Sequence, residues 1–273
     1  MSPGVKRAMP AALLPVLLMI LASCSVKEDR RACPCYTYLI VDEFIDAGFP
    51  RALISFSSGG EVARSVESLP EHEHRGYVRP LPRRPARAAV VAGLERTVIR
   101  GDSLVTPFGL EADPLWMYGE EFVCESDEKF VTAVPYKQYC TLTIVVSGLG
   151  PGEEYEGTFR VRAADNAIDI YSRRPLRGEY LAVVRRSGTG VFSVRIPRQS
   201  GNDMILEFVR ETAGKDGTVD LVIDLGAEFS RAGYDWKRKN LQDVSAVVDH
   251  ASAEITLSVT GWDEDESFGD IEI

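Results

Sequence analysis

Histidine is scarce in this chain, with three residues in 273: His72 and His74 flank Glu73, and the third is His250. An imidazole-based zinc or copper centre is therefore short of ligands. An extended strand would put His72 and His74 on the same side, but no third or fourth ligand stands near them, and the segment reads as a solvated loop. The sequence also lacks a Gly-x-Ser-x-Gly nucleophile elbow and a phosphate loop, which removes the local signatures of serine hydrolases and nucleotide enzymes. Basic charge is in deficit, with 31 Lys and Arg against 41 Asp and Glu and a net charge of -10, so a nucleic-acid backbone is a poor partner. The acidic run Asp263 to Glu266 has no glycine and none of the alternating spacing of an EF-hand, and reads as a charged turn. With 41 acids, pairs for glycoside hydrolysis can be drawn anywhere, so their spacing carries no information. No cofactor and no metal are expected.

Long apolar runs are missing too, apart from a short one at the start. Ala11 to Leu21, interrupted by Pro15 and preceded by Lys6 and Arg7, is too short to span a bilayer comfortably. It is followed by Leu21-Ala22-Ser23-Cys24, in which small residues precede a cysteine. This resembles the lipobox of bacterial lipoproteins, and implies cleavage before Cys24 and acylation of its thiol. Several acyl chains, at roughly 0.8 kcal/mol per buried methylene, make such an attachment durable where one chain binds marginally. Residues 1–23 are then absent from the mature protein, and loss of Lys6 and Arg7 without any acid moves the charge from -10 to -12. Ser25 is not the aspartate of an inner-membrane retention signal, which favours the outer membrane. Lys27-Glu28-Asp29 resembles the signal that carries Bacteroidetes lipoproteins to the cell surface.

Four other cysteines remain: Cys33, Cys35, Cys124 and Cys140. In an exported chain they are disulfide partners or free thiols, and three complete pairings are open. Cys33-Pro34-Cys35 is too close-set for a relaxed internal bridge and lacks the two-residue spacing of redox or zinc motifs.

From Cys35 onward the signals are those of strands. Tyr36, Tyr38 and Ile40 alternate with Thr37, Leu39 and Val41. Short candidates follow at 51–56, 61–66, 76–79, 86–92 and 97–99, separated by Gly, Pro and Ser, with no long helical period. The stretch 105–129 is rich in Pro, Gly and acids, and reads as the passage between two units. Strand signals resume at 139–146, 158–163, 179–184, 190–196, 204–210 and 218–225. Residues 227–241 suit a short helix or turned loop, and 244–248, 254–260 and 268–273 suit closing strands. Many short strands with turn signals between them argue for β-sandwiches.

Several segments together give a family resemblance. Lys27-Glu28-Asp29-Arg30 and Cys33-Pro34-Cys35 follow the lipidated cysteine, and Lys137-Gln138-Tyr139-Cys140 leads into Thr141 to Val146. Near the end come Gly233-Tyr234-Asp235-Trp236, Leu241-Gln242-Asp243-Val244, Ile255 to Gly261-Trp262 and Ile271-Glu272-Ile273. In order and coverage these resemble the FimB-type anchor subunits of Bacteroidetes type V fimbriae, while Ser65 to Arg87 departs from them. The resemblance implies an all-β chain of two transthyretin-like β-sandwich domains in tandem. Its expected parts are a signal peptide over 1–23, a lipidated tether over 24–34, and domains over 35–128 and 129–273. It further implies a non-enzymatic protein that anchors or seeds a fimbrial fibre at the outer membrane, with shaft or accessory subunits as partners. Strand addition would supply the contact, because an open sheet edge presents unpaired N–H and C=O groups. The competing reading is a surface glycan-binding lipoprotein of a polysaccharide-uptake system, using Trp116, Trp236 or Trp262; tryptophan in small β domains is usually core, and Trp236 beside Lys237, Arg238 and Lys239 is the strongest candidate for a surface role.

Overall fold

The computed structural model describes residues 33–148, 157–210, 218–249 and 255–260. Cys24, Lys27, Glu28, Asp29, His250, Trp262, the acidic run 263–266 and the strand expected at 268–273 lie outside the described residues.

In the first half, alternation becomes strand: β1 (Cys35–Ile40), a five-residue helix α1 (Asp42–Asp46), β2 (Arg51–Ser58), β3 (Glu61–Ser68), β4 (Tyr77–Leu81), β5 (Pro85–Ala92), β6 (Val98–Arg100), β7 (Ser103–Val105), β8 (Trp116–Val123), β9 (Glu128–Thr132) and β10 (Tyr136–Lys137). β1 lies between antiparallel β4 and parallel β9, and a five-stranded sheet runs β10-β8-β5-β2-β3. Gly59 and Gly60, both at positive φ, make the two-residue turn that joins β2 to β3. Only a residue that tolerates left-handed backbone closes such a turn with the twist the strands need. Leu39, Val41, Leu81 and Val131 face Ile54, Phe56, Ala88, Val90 and Phe122 in one core, with Phe44 of α1 inserted at its end. This is a sandwich-like unit.

The second half supplies β11 (Tyr139–Ser147), β12 (Thr158–Asp169), β13 (Pro175–Val183), β14 (Arg185–Gly188), β15 (Val191–Pro197), β16 (Met204–Arg210), β17 (Thr218–Ile223), helix α2 (Leu225–Arg231), β18 (Asp243–Asp249) and β19 (Ile255–Thr260). One sheet runs β14-β15-β11-β18-β19, and the other β17-β16-β12 with β13 on the far side of β12. Leu142, Ile144, Val194 and Val244 pack across the interior against Phe159, Val161, Ala182 and Leu206, forming a second sandwich-like core.

Two departures from the sequence reading matter. The stretch 105–129 is no simple passage, because β8 sits between β5 and β10 inside a sheet. Its Tyr118 and Phe122 are core residues, and the Pro- and Gly-rich composition belongs to the loop before it. In addition, β12 is twelve residues long, twice the expected length, because its outer half is polar and masks the alternation. That outer half pairs with β7, so residues 98–105 join a sheet of the second half. Residue 128, where the sequence suggests a division, is the first of β9.

The overlap makes a third core. Ile168, Ile170 and Tyr171, at the end of the β12–β13 hairpin, cover Leu53, Ala89, Val91 and Met117 on the outer face of the first sandwich. Tyr171 donates to or accepts from Ser55 at 2.8 Å, and the Arg87 guanidinium lies 4.2 Å over its ring. Arg64 and Arg87 both bind Asp102, at 2.5 and 3.0 Å. Gly119 is required there, since a Cβ would fall 1.9 Å from the Tyr171 carbonyl oxygen.

Candidate interaction edges

Every open sheet has edges, and an edge invites another strand unless something blunts it. Several edges here are blunted. β4 carries Arg79 and Pro80, β14 is four residues with Arg185 and Arg186, β6 has three residues and β10 two. β3 carries Glu61, Arg64 and Glu67, and β13 begins at Pro175 and pairs through two register shifts.

The second sandwich has one flank of a different kind. β13 runs directly into β14 through Val184, so the chain itself closes the flank at those two edges. Among the described residues the opposite flank is formed by β17 and β19, each six residues, rich in β-branched side chains and free of proline, with Asp220 their one charge. Behind them, Phe208 of β16, Ile223 of β17 and Leu257 and Val259 of β19 pack on the core while remaining partly buried. A strand whose alternate side chains are apolar fits such a row, since residues i and i+2 point to the same face.

Local chemistry holds this flank in place. α2 packs against both β16 and β19. Asp224 caps it by accepting from the Ala227 amide at 2.9 Å, and Leu225 and Phe229 enter the core. Gly226 passes so close to the Asn202 carbonyl that a Cβ would lie 1.5 Å from its oxygen. Phe229 stacks on Trp236 at 5.5 Å and meets Tyr234 edge-on at 5.0 Å. Trp236 is 6% exposed, and its Nε1 donates to Asn202 Oδ1 at 2.8 Å. Trp236 is therefore core, despite the three basic residues that follow it. Arg198 donates to the Trp236 and Lys239 carbonyls and to Gln138 Oε1; burial, with Arg173 nearby, lowers its pKa to about 10.

The other sequence candidates scatter. His72 faces Glu67 at 3.7 Å and packs on Tyr77, whereas His74 turns to Asp42 at 3.4 Å, so the two imidazoles do not converge. Among the described residues no group of three or more His, Cys, Asp or Glu could hold a metal ion. Trp116 is half-buried against the first core, beside Phe49 at 5.9 Å. Cys33 is exposed, Cys35, Cys124 and Cys140 are buried, and all four thiols are free. Burial raises Cys140 to about 12 in the second core, where its thiol bonds to Tyr234. An open cleft lined by Ser57, Ser58, Gly59, Gly60, Arg87 and Glu121 carries one carboxylate and one guanidinium, so it offers no acid pair.

Two features escaped sequence reading. The flank was hidden because β17 and β19 read as ordinary strands, and edge status is a property of the sheet. The second is an aromatic face on β4-β1-β9, where Tyr38 and Phe130 stack at 4.8 Å and Tyr36 and Val78 are exposed beside them. The alternation of β1 pointed to Tyr36 and Tyr38; Phe130 joins them only through the parallel pairing with β9.

No protein-family model matches the sequence, and no curated protein does. Solved structures do match. The fimbrial anchor protein Mfa2 from Porphyromonas gingivalis is similar with a TM-score of 0.57 at 11% identity, over 84% of this chain and 98% of that one. A candidate polysaccharide-binding protein from Bacteroides thetaiotaomicron gives 0.56 at 10% identity, over 84% and 96%. A candidate adhesin from Bacteroides ovatus gives 0.56 at 11%, over 84% and 94%. At these identities the likeness is one of fold: an all-β chain of sandwich-like units.

Proposed function

We propose that this protein is a non-enzymatic lipoprotein of the outer membrane, exposed at the cell surface through Lys27-Glu28-Asp29 and held by acyl chains on Cys24. It anchors or seeds a fimbrial fibre by accepting a strand from a shaft or accessory subunit. Two transthyretin-like units divided near residue 128 belong to the same reading. The observation that carries it is the β17/β19 flank, where Phe208, Ile223, Leu257 and Val259 stay partly buried behind two strands that stand at sheet edges among the described residues. The fold likeness to a fimbrial anchor protein supports it, as do the sequence segments that resemble the FimB-type anchors. An added strand would satisfy edge N–H and C=O groups and bury alternate side chains on that row.

Hydrogen exchange on the complex with purified fimbrial subunits tests the site. The expected result is slowed exchange at the β17 and β19 amides, with β3 and β4 unchanged. Binding with no protection at β17 or β19 would remove this flank from consideration. In cells, deletion of the gene should release fibres or alter their length; retention of normal fibres would count against anchoring altogether.

One observation favours a second reading, a glycan-binding surface protein. The face made by Tyr36, Tyr38 and Phe130 offers aromatic planes to solvent, and sugar rings stack on such planes. A polysaccharide array in which binding is lost on Phe130→Ala would support it. Loss on Trp236→Ala would not, because that ring is buried.

A further inference from the structure

Two of the described cysteines meet. Cys35 is the first residue of β1, and Cys124 directly follows β8. The Tyr36 amide donates to the Asp127 carbonyl at 2.8 Å, so the chain after β8 lies against the start of β1. Arg83 fastens the same place, donating to the Cys33 carbonyl at 3.2 Å and to the Glu125 carbonyl at 3.1 Å. Within this corner the Cys124 sulfur lies 3.6 Å from Thr37 Oγ1 and within hydrogen-bonding reach of the Cys35 thiol. Both sulfurs belong to residues of the first core, 0% and 1% exposed. Cys140 belongs to the other core, and Cys33 faces solvent. Sequence alone disfavours a Cys33–Cys35 bridge and does not choose among the other pairings; the fold brings Cys35 and Cys124 together.

We propose that Cys35 and Cys124 form a disulfide after export, tying the first residue of β1 to the end of β8. The oxidant is a protein or small-molecule disulfide in the compartment where the chain folds. The Cys35 thiolate attacks one sulfur of that disulfide, its S–S bond breaks, a mixed disulfide forms and one thiolate leaves. The Cys124 thiolate then attacks the Cys35 sulfur, closing the internal bond and releasing the second thiol. The protein loses two electrons and two protons, and the oxidant gains them. Burial raises the Cys124 thiol to about 11 in the folded reduced protein, where little thiolate exists to exchange. Closure therefore belongs to folding, before the core seals.

The link has a mechanical consequence that rests on the lipid at Cys24. Only ten residues lie between Cys24 and Cys35. Tension between the membrane and a fibre enters at β1, which is otherwise held by hydrogen bonds to β4 and β9. A bond at Cys35 passes that tension into the corner after β8, and β1 is not peeled.

The test uses the full lipoprotein purified from envelopes after denaturation and alkylation with N-ethylmaleimide. Peptide mass mapping with fragmentation should find residue 35 linked to residue 124, two hydrogens lighter than the dithiol, with Cys33 and Cys140 alkylated. Alkylation of all four cysteines overturns the proposal, as does linkage of Cys124 to Cys33 or Cys140. Reduced protein refolded with oxidised glutathione should close the same link and release two glutathione equivalents; failure to close it also overturns the proposal. Dithiothreitol should lower the melting temperature by roughly 10 °C, since the link closes a long loop, and should leave a Cys35→Ser/Cys124→Ser variant unmoved. The mass of the amino-terminal peptide scores the lipid independently. An unlipidated Cys24 with the link present overturns the anchoring reading alone, and a lipidated chain with free thiols overturns this one alone.

Discussion

The first sandwich ends its sheets in proline, charge or very short strands, whereas the second, among the described residues, ends one flank in two six-residue β-branched strands with apolar side chains behind them. Both are built from the same alternation and bury comparable sets of Val, Ile, Leu and Phe. The difference teaches that inward pattern makes a sandwich, while the residues on its rim decide whether it is finished. Pro80 removes a donor from the β4 edge, and the Arg185-Arg186 pair puts charge on β14. The β17/β19 flank has no proline and a single charge, Asp220, along its strands, and α2 packs against β16 and β19 there.

The contrast can be broken most strongly at the floor of that flank. Phe229→Ala removes a fully buried ring that touches both Tyr234 and Trp236 and should cost about 3–5 kcal/mol. Urea unfolding followed by Trp fluorescence checks it; a cost below about 1 kcal/mol would mean that the flank repacks freely. Gly119→Ala acts on the joint instead, driving a methyl into the Tyr171 carbonyl, and should cost about 1–3 kcal/mol. If the hairpin merely rested on the first sandwich, thermal denaturation would hardly change.

Acid tests the same joint through Asp113, in the loop that leads into β8. Burial pushes its carboxyl up, but the Glu95, Arg96 and Thr97 amides, which donate to Oδ2 at 2.7–2.8 Å, and the Thr97 side chain bring it below the ordinary 3.8. With the folded pKa depressed, its stabilisation is fully present above about pH 4 and is lost as pH falls through the lower folded value. Asp113→Asn should therefore lower stability at pH 7 and flatten its decline below pH 4, as read by melting temperature against pH. The smallest effect is expected on the blunted edge of β13. Arg177 and Asp203 form an exposed pair at 3.4 Å, and Arg177→Ala should shift stability by no more than about 0.5 kcal/mol.

Much of this architecture is legible in one dimension. β2, β5, β11 and β16 fall where alternating or continuous apolar runs predict them, and the faces of β1 separate as read, with Thr37, Leu39 and Val41 inside and Tyr36 outside. β8 was obscured by the Pro- and Gly-rich loop before it, and the outer half of β12 by its polar residues Asp165, Asn166 and Asp169. The candidate site was less legible. Tyr139 to Val146 reads as a strand wherever it sits, but nothing in Thr218 to Ile223 or Ile255 to Thr260 says that, among the described residues, the strand is paired on one side alone.

The sequence by itself determined the strands, their inward faces and the all-β class, because side-chain period and turn chemistry are local. It also carried the expectation of a lipidated Cys24. Tertiary structure alone decided which strands stand at an edge, that Trp236 is core, that Tyr171 belongs to the first sandwich and that Cys35 meets Cys124. Each of these depends on pairing between residues far apart in the chain, where the free energy lies in contacts and buried area that no local pattern encodes.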